Sequence, residues 1–194
     1  LRYSWRGGEF EFNLLKDLGE LAIAAGNYSL ALGELRQVVA VFPDRAKEAG
    51  IAQKMNQLFE DLFLGGMAEG LAPVSALALY YEFRELTPVG DDGDEMVRRL
   101  ADRLVEVDLL GQAADLLEYQ VAFRLEGEQR ALVAARLAVI YLLNRQYQEA
   151  LDSIRGSRYR LADPALLQER AQLEAEALSG LELHEEGLAL IAND

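Results

Sequence analysis

The stretch LGELAIAAGNYSLALGEL, residues 18–35, decides the fold. Leucine, alanine and glutamate favour helix on both sides of Gly26-Asn27, a pair of residues that favours a turn. Gly19 and Ala31 stand 12 residues apart across that turn. Two helices that fold back on each other approach closely where both carry small side chains. The stretch therefore predicts a helical hairpin whose closest contact lies at Gly19 and Ala31.

The same separation of small residues recurs along the chain. It is found in three later pairs: Ala101 and Ala113, Ala138 and Ala150, Ala175 and Gly187. The second members of these pairs follow one another in steps of 37 residues, and Ala76 supplies a missing member. The sequence therefore predicts an all-α protein of about five antiparallel helical hairpins. Residues 1–11 are predicted to be an extension or the tail of a preceding repeat, and the approximate units are 12–45, 46–93, 94–130, 131–167 and 168–194.

Other residues keep the phase of these pairs. Three positions before the second small residue we expect a large side chain that wedges between the two helices, at Tyr28, Leu110, Tyr147 and His184. Twelve positions after it stand Pro43 and Pro88, where a proline is expected to end the second helix. With Leu18-Gly19, Gly26-Asn27-Tyr28, Ala31-Leu32 and Pro43, the first unit resembles the tetratricopeptide repeat, and the resemblance extends over residues 12–194.

This resemblance implies a right-handed α-solenoid whose first helices line a concave side, and a non-catalytic role as a scaffold that binds a protein or peptide. Some members of the family grip a peptide's terminal carboxylate with lysine and asparagine from adjacent repeats. Lys16 matches one such place, but Glu20 stands where the asparagine is expected and would repel a carboxylate.

Composition and charge exclude several classes of function. The 194 residues are 51% hydrophobic, contain no cysteine and carry a formal net charge of −14. An acidic surface repels nucleic acid and anionic lipid, and no apolar run approaches the roughly 20 residues that span a bilayer. We expect neither of these partners. The sequence reads as an excerpt of a longer, bacterial-type chain without a targeting segment, and it leaves cytoplasm and periplasm open.

No group of residues predicts catalysis, a metal or a cofactor. His184 is the only histidine, and it falls at the wedge position of the repeat. The acidic cluster Asp91, Asp92, Asp94 and Glu95 lacks the spacing of a calcium loop, and Asp92 with Glu95 fits a helix cap instead. We therefore predict that the chain is not an enzyme and binds no cofactor.

The fourth unit offers the best candidate for a binding surface, because ALVAARLAVIYLLN, residues 131–144, is apolar nearly all round. One interpretation is that neighbouring repeats or an inward bend of the array cover Val139, Leu142 and Leu143. The other is an apolar groove for a partner helix. The candidate partner-binding residues are Lys16, Arg98, Arg99, Asp102, Arg136, Val139, Leu142 and Leu143.

The two ends of the array leave alternatives open. Leu188 and Ile191 have no following hairpin in this sequence, whereas Trp5, Phe10 and Phe12 are available to cover the first one. Repeat arrays generally need a polar end cap. The alternatives to a scaffold are therefore a self-associating module, with a homodimer formed through a terminal hairpin, and an accessory repeat domain of a larger protein whose catalytic part lies elsewhere.

Overall fold

A computed structural model describes residues 8–191, which contain α-helices, two short 3-10 helices and no strand. The all-α prediction is confirmed. The chain divides into two compact units, unit 1 up to Met96 and unit 2 from Val97. The helices are α1 (Glu9–Ala24), α2 (Tyr28–Val41), α3 (Pro43–Glu48), α4 (Ile51–Phe63), α5 (Pro73–Glu82), α6 (Asp91–Glu106), α7 (Leu110–Phe123), α8 (Gly127–Leu143), α9 (Tyr147–Gly156), α10 (Pro164–Gly180) and α11 (His184–Ile191).

Four hairpin turns share one backbone conformation, which explains why the break at Gly26-Asn27 recurs. Each turn has three residues, and the middle one is left-handed: Gly26 (φ 72°), Asp108 (62°), Arg145 (58°) or Glu182 (65°). The third residue donates its N–H to a carbonyl five residues back, as Asn27 does to Ala22 at 2.9 Å. This is the Schellman arrangement that satisfies the last carbonyls of a helix. It aims the second helix back along the first.

Small residues lie where the two helices of a hairpin meet. Ala31, Ala101, Ala113, Ala138 and Ala150 are completely buried. At the two ends of the series, a methyl group on Gly19 would lie 3.0 Å from the Leu35 side chain, and one on Gly187 would lie 3.0 Å from the carbonyl oxygen of Ala175. Larger side chains at these positions would push the helices apart. The predicted close approach at small residues is therefore present.

The second hairpin departs from the others. A nine-residue connection with a 3-10 turn at Met67–Gly70 joins α4 to α5. The rings of Phe59, Phe63 and Tyr80 pack together with centroids 4.8 to 6.2 Å apart. Aromatic packing therefore links α5 to α4, and Ala76 of α5 is completely buried.

The prediction that Pro88 ends a helix is wrong. Helix α5 ends at Glu82, six residues earlier, where Arg36 donates to the Glu82 carbonyl at 3.1 Å and lies 4.5 Å above the Phe83 ring. A cationic donor at a helix C-terminus satisfies an orphan carbonyl. Pro43 does follow the end of α2, but it also begins the short α3, because proline suits the first position of a helix.

The prediction that Tyr28, Leu110, Tyr147 and His184 wedge between the two helices of their hairpins is wrong in part. All four residues of this set begin the second helix of their hairpin. The Tyr147 ring, however, lies against Gly180 of the following hairpin, and His184 is exposed. The Tyr147 ring occupies the space that a side chain larger than that of glycine would need at position 180.

A buried polar cluster links three helices of unit 2. Arg170 of α10 donates to the carbonyl oxygens of Ala131 in α8 and Ile154 in α9, at 2.5 and 2.7 Å. It also donates to the hydroxyl of Ser157 at 3.0 Å. Burial lowers the pKa of Arg170 from its ordinary value, while Glu174 one turn along opposes that effect. The cluster gives hydrogen-bond partners to carbonyl groups that the packing of α10 would otherwise bury without one.

Candidate binding groove

The first helices of three hairpins form an open groove of about 660 Å³ in unit 2. Helix α8 runs along it and contributes Leu132, Arg136, Val139 and Leu143, which are spaced three or four residues apart on one face. The other residues that line it include Arg98, Asp102, Val105 and Glu106 of α6, Val133, Ala135 and Ile140 of α8, and Leu166 and Glu169 of α10. The groove thus has an apolar wall from α8 and charged residues beside it.

The apolar wall is exposed although the rest of α8 is covered. Leu132, Val139 and Leu143 are 47, 36 and 59% exposed. The interpretation that neighbouring repeats cover these side chains is wrong for Val139 and Leu143, whereas Leu142 is half-buried. A sequence that is apolar all round predicts burial on several sides. Among residues 8–191, the side of α8 that faces the groove is the one left exposed.

The charged residues of the groove carry a slight negative excess. Arg98 and Arg136 are opposed by Asp102, Glu106 and Glu169. Arg136 forms an ion pair with Asp102, and both side chains are substantially exposed. An exposed pair of this kind contributes about 0–1 kcal/mol, so a ligand can displace it at little cost. The exposed acids Glu106 and Glu169 add to the acidic surface of the chain.

Five of the eight predicted binding residues line this groove: Arg98, Asp102, Arg136, Val139 and Leu143. Arg99 and Leu142 lie on α6 and α8 but do not line it, and Lys16 lies in unit 1, 4.0 Å from Asp17. Sequence reasoning missed the contribution of α10. Glu169 follows Leu132 by 37 residues, so the repeat step identifies its position.

Lys16 lies beside an acidic side chain that keeps its negative charge. Lys54 donates to Glu20 at 2.7 Å, and this bond holds the pKa of the Glu20 carboxyl below its usual value. Glu20 therefore stays ionised beside Lys16, which also contributes to lowering that pKa. A carboxylate ligand would meet a negative charge at this place.

The candidates for chemistry lie apart from the groove. The Ser179 hydroxyl lies 3.2 Å from Nδ1 of His184, and both residues are exposed. The two residues lie on either side of a hairpin turn, so a search for partners at helical spacing did not reveal this pair. The prediction that Asp92 caps a helix is wrong: α6 already begins at Asp91, and its first turn is acidic, which suits the positive end of the helix dipole. Over residues 8–191, no group of three histidine, cysteine or acidic residues is placed to hold a metal.

Within the same residues, no helix combines the length and apolar character needed to cross a bilayer.

Comparison with known proteins identifies no family. No family model matches the sequence, and no curated protein matches it. The solved structures that resemble the chain include two with 17% identity and a TM-score of 0.46. The match to "Crystal structure of MamA protein" covers 94% of this chain and 88% of the chain in that structure. The match to "Crystal structure of MamA" covers 89% of this chain and 90% of the chain in that structure. At these values the likeness adds nothing to the fold and groove described above.

Proposed function

We propose that this protein is a non-catalytic protein-interaction module that binds an amphipathic, basic helix in the groove of α6, α8 and α10. One observation carries the proposal: the exposed stripe of Leu132, Val139 and Leu143 at helical spacing beside an open groove. Apolar side chains on one face of a partner helix bury such a stripe. Arg99 and Leu142, on the same helices as the groove, and Lys16, in unit 1, remain predicted contacts.

Shape favours a helix as the ligand. The stripe from Leu132 to Leu143 covers three turns of α8, about 17 Å at 1.5 Å per residue. A partner helix of about four turns spans that length with side chains at every third or fourth position. Helices pack side by side when such rows interdigitate.

Charge favours a basic partner. The whole chain has a net charge of −14, and the groove itself has three acids against two arginines. Opposite charge raises the rate of encounter and is screened by salt. An acidic helix would be repelled both at a distance and at Glu106 and Glu169.

The test uses two synthetic helices of about four turns, each with leucine at every third or fourth position. Lysine fills the other positions of one probe and glutamate those of the other. Fluorescence anisotropy should show that the basic probe binds at least about tenfold more tightly, and that added salt weakens it. The double variant Val139→Gln with Leu143→Gln should bind the basic probe about tenfold more weakly than the unchanged chain does, because the leucines of the probe lose apolar contacts. Glutamine leaves the charge unchanged and favours a helix at least as well as leucine or valine does.

The matched control is Val41→Gln with Leu30→Gln, two similarly exposed side chains on α2 that do not line the groove. We expect the control chain to bind the basic probe like the unchanged chain. Equal binding by the groove variant and the control would refute the proposal. So would equal affinity for the acidic and basic probes.

A further inference from the structure

The acidic side chains of the groove stand at the two ends of its apolar stripe. The first helices of unit 2 repeat in steps of 37 residues, so residues 37 apart occupy the same level of neighbouring first helices. In this register Glu169 of α10 is level with Leu132, where the stripe begins, and Glu106 of α6 is level with Leu143, where it ends. Both acids are exposed and line the groove. One negative charge therefore stands at each end of the stripe.

The middle of the groove is positive. Arg136 interrupts the stripe, four residues after Leu132 and three before Val139. Arg98 of α6 also lines the groove, one position before Arg136 in the same register. Asp102 forms the ion pair with Arg136. Two arginines and one aspartate give this middle section a net positive charge between the two acidic ends.

Exposed apolar side chains also occur elsewhere in the chain. Leu21 of α1 is 66% exposed, whereas Phe12 of the same helix packs edge-on to Phe42 at 5.8 Å. Of the other aromatic residues expected to cover the first hairpin, Phe10 is 63% exposed and Trp5 lies outside the described residues. Exposure alone does not say what covers such side chains. In the groove, the order of the charges beside them indicates what the partner carries.

We infer that the partner helix carries basic residues at both ends of its apolar face and an acidic residue in the middle. This partner is the helix of the proposed function, on which the inference rests. Each basic residue meets one of the two end acids, Glu106 or Glu169, and the acidic residue meets Arg136. Leu132 and Leu143 lie about 17 Å apart along α8, so the two basic residues stand about 11 residues apart on a helix that lies along the groove.

The order of charges selects among basic helices of the same net charge. The acidic residue of the partner competes with Asp102 for Arg136, and this exchange costs little because both side chains of the ion pair are exposed. A helix with the reverse order brings like charges together at both ends and in the middle of the groove. Such contacts weaken binding, although the apolar residues still fit.

Fluorescence anisotropy with two synthetic helices of identical composition tests this inference. Each helix has about four turns, leucine at every third or fourth position and twice as many lysines as glutamates, so both probes are basic. In the matched probe the lysines occupy the first and last turns and the glutamates the middle; the reversed probe exchanges these positions. An exposed ion pair changes affinity by up to about fivefold, so with three places reversed we expect the matched probe to bind about tenfold more tightly. Circular dichroism checks that the two probes have equal helix content.

Reversing the two end acids of the groove should remove this preference. In the variant Glu106→Lys with Glu169→Lys, both ends of the matched probe meet like charge. The matched control is Asp115→Lys with Glu118→Lys, two exposed acids of α7 that do not line the groove. The control makes the same change in net charge, so it should bind both probes more weakly and keep the tenfold preference. If the lysine variant of the groove does not fold, Glu106→Gln with Glu169→Gln replaces it and should reduce the preference.

The outcomes separate this inference from the proposed function. Equal affinity for the two probes, with both weakened by Val139→Gln and Leu143→Gln, overturns the inference and leaves the proposed function standing. A preference that is as strong in Glu106→Lys with Glu169→Lys as in the control also overturns the inference. If neither probe binds, the proposed function and the inference both fail.

Discussion

Replacing Arg170 by methionine tests the buried cluster that holds the last two hairpins of unit 2 together. Arg170 is only 6% exposed, and methionine keeps most of its aliphatic length while removing every donor. The carbonyl oxygens of Ile154 and Ser157 at the C-terminal end of α9 then lose their charged partner. The last carbonyls of a helix have no partner within the helix itself.

The expected loss follows from these contacts. A hydrogen bond from a charged group contributes about 1.5–3 kcal/mol, and Arg170 makes two short ones, to Ala131 and Ile154. Glu174 keeps Arg155 and Arg158 as partners, so no buried charge is left alone. The low end of the range therefore applies. We expect the free energy of unfolding to fall by about 3 kcal/mol, which lowers Tm by about 6–12 °C in a chain of this size.

Urea denaturation followed by far-ultraviolet circular dichroism measures this loss. The matched control is Arg158→Met, the same chemical change at a side chain that is 68% exposed and lies 3.2 Å from Glu174. An exposed ion pair contributes little, so the control should lose less than about 1 kcal/mol. If Arg170→Met costs no more than Arg158→Met, the buried cluster does not stabilise the fold as described.

Three further predictions concern turns, packing and pH. Arg145→Gly should raise the free energy of unfolding by about 0.5–1 kcal/mol, since φ of 58° is unfavourable for arginine and readily adopted by glycine; a lower free energy of unfolding would contradict the turn geometry. Ala150→Leu should lower stability by about 1–3 kcal/mol, because Ala150 is completely buried, and an unchanged midpoint would argue against close helix contact there. Burial, followed by the charge of Glu118, raises the pKa of Tyr141 to about 12. The neutral phenol therefore stabilises the fold below pH 10, and this contribution is lost as the pH rises through about 12. Stability curves measured between pH 9 and 12 should be flatter for Tyr141→Phe than for the unchanged chain, and parallel curves would show that Tyr141 is not responsible.

Much of the fold is predictable from the sequence because a repeated turn leaves a repeated spacing. The glycine at Gly26 marks only the first turn, and Asp108, Arg145 and Glu182 hold the same left-handed position without any such mark. The constant 12-residue offset between small residues identified those later turns, since helix packing constrains it more strongly than turn composition does.

The features that sequence reasoning missed depend on contacts between distant residues. Helix α5 ends where Arg36, 46 residues earlier, reaches the Glu82 carbonyl. The Tyr147 ring packs on Gly180 of the next hairpin. The apolar sequence of α8 predicted that its side chains are buried. The positions of α6 and α10 leave Val139 and Leu143 exposed, whereas Leu142 is half-buried.

The most direct test of the account is a methyl spectrum of the labelled chain, recorded by nuclear magnetic resonance while the basic helical probe is added. We predict that the largest shifts occur at the methyl groups of Leu132, Val139 and Leu143, and that those of Leu30 and Val41 stay in place. Shifts confined to residues outside the groove, at probe concentrations where binding is seen by anisotropy, would contradict the claim that this groove is the binding surface.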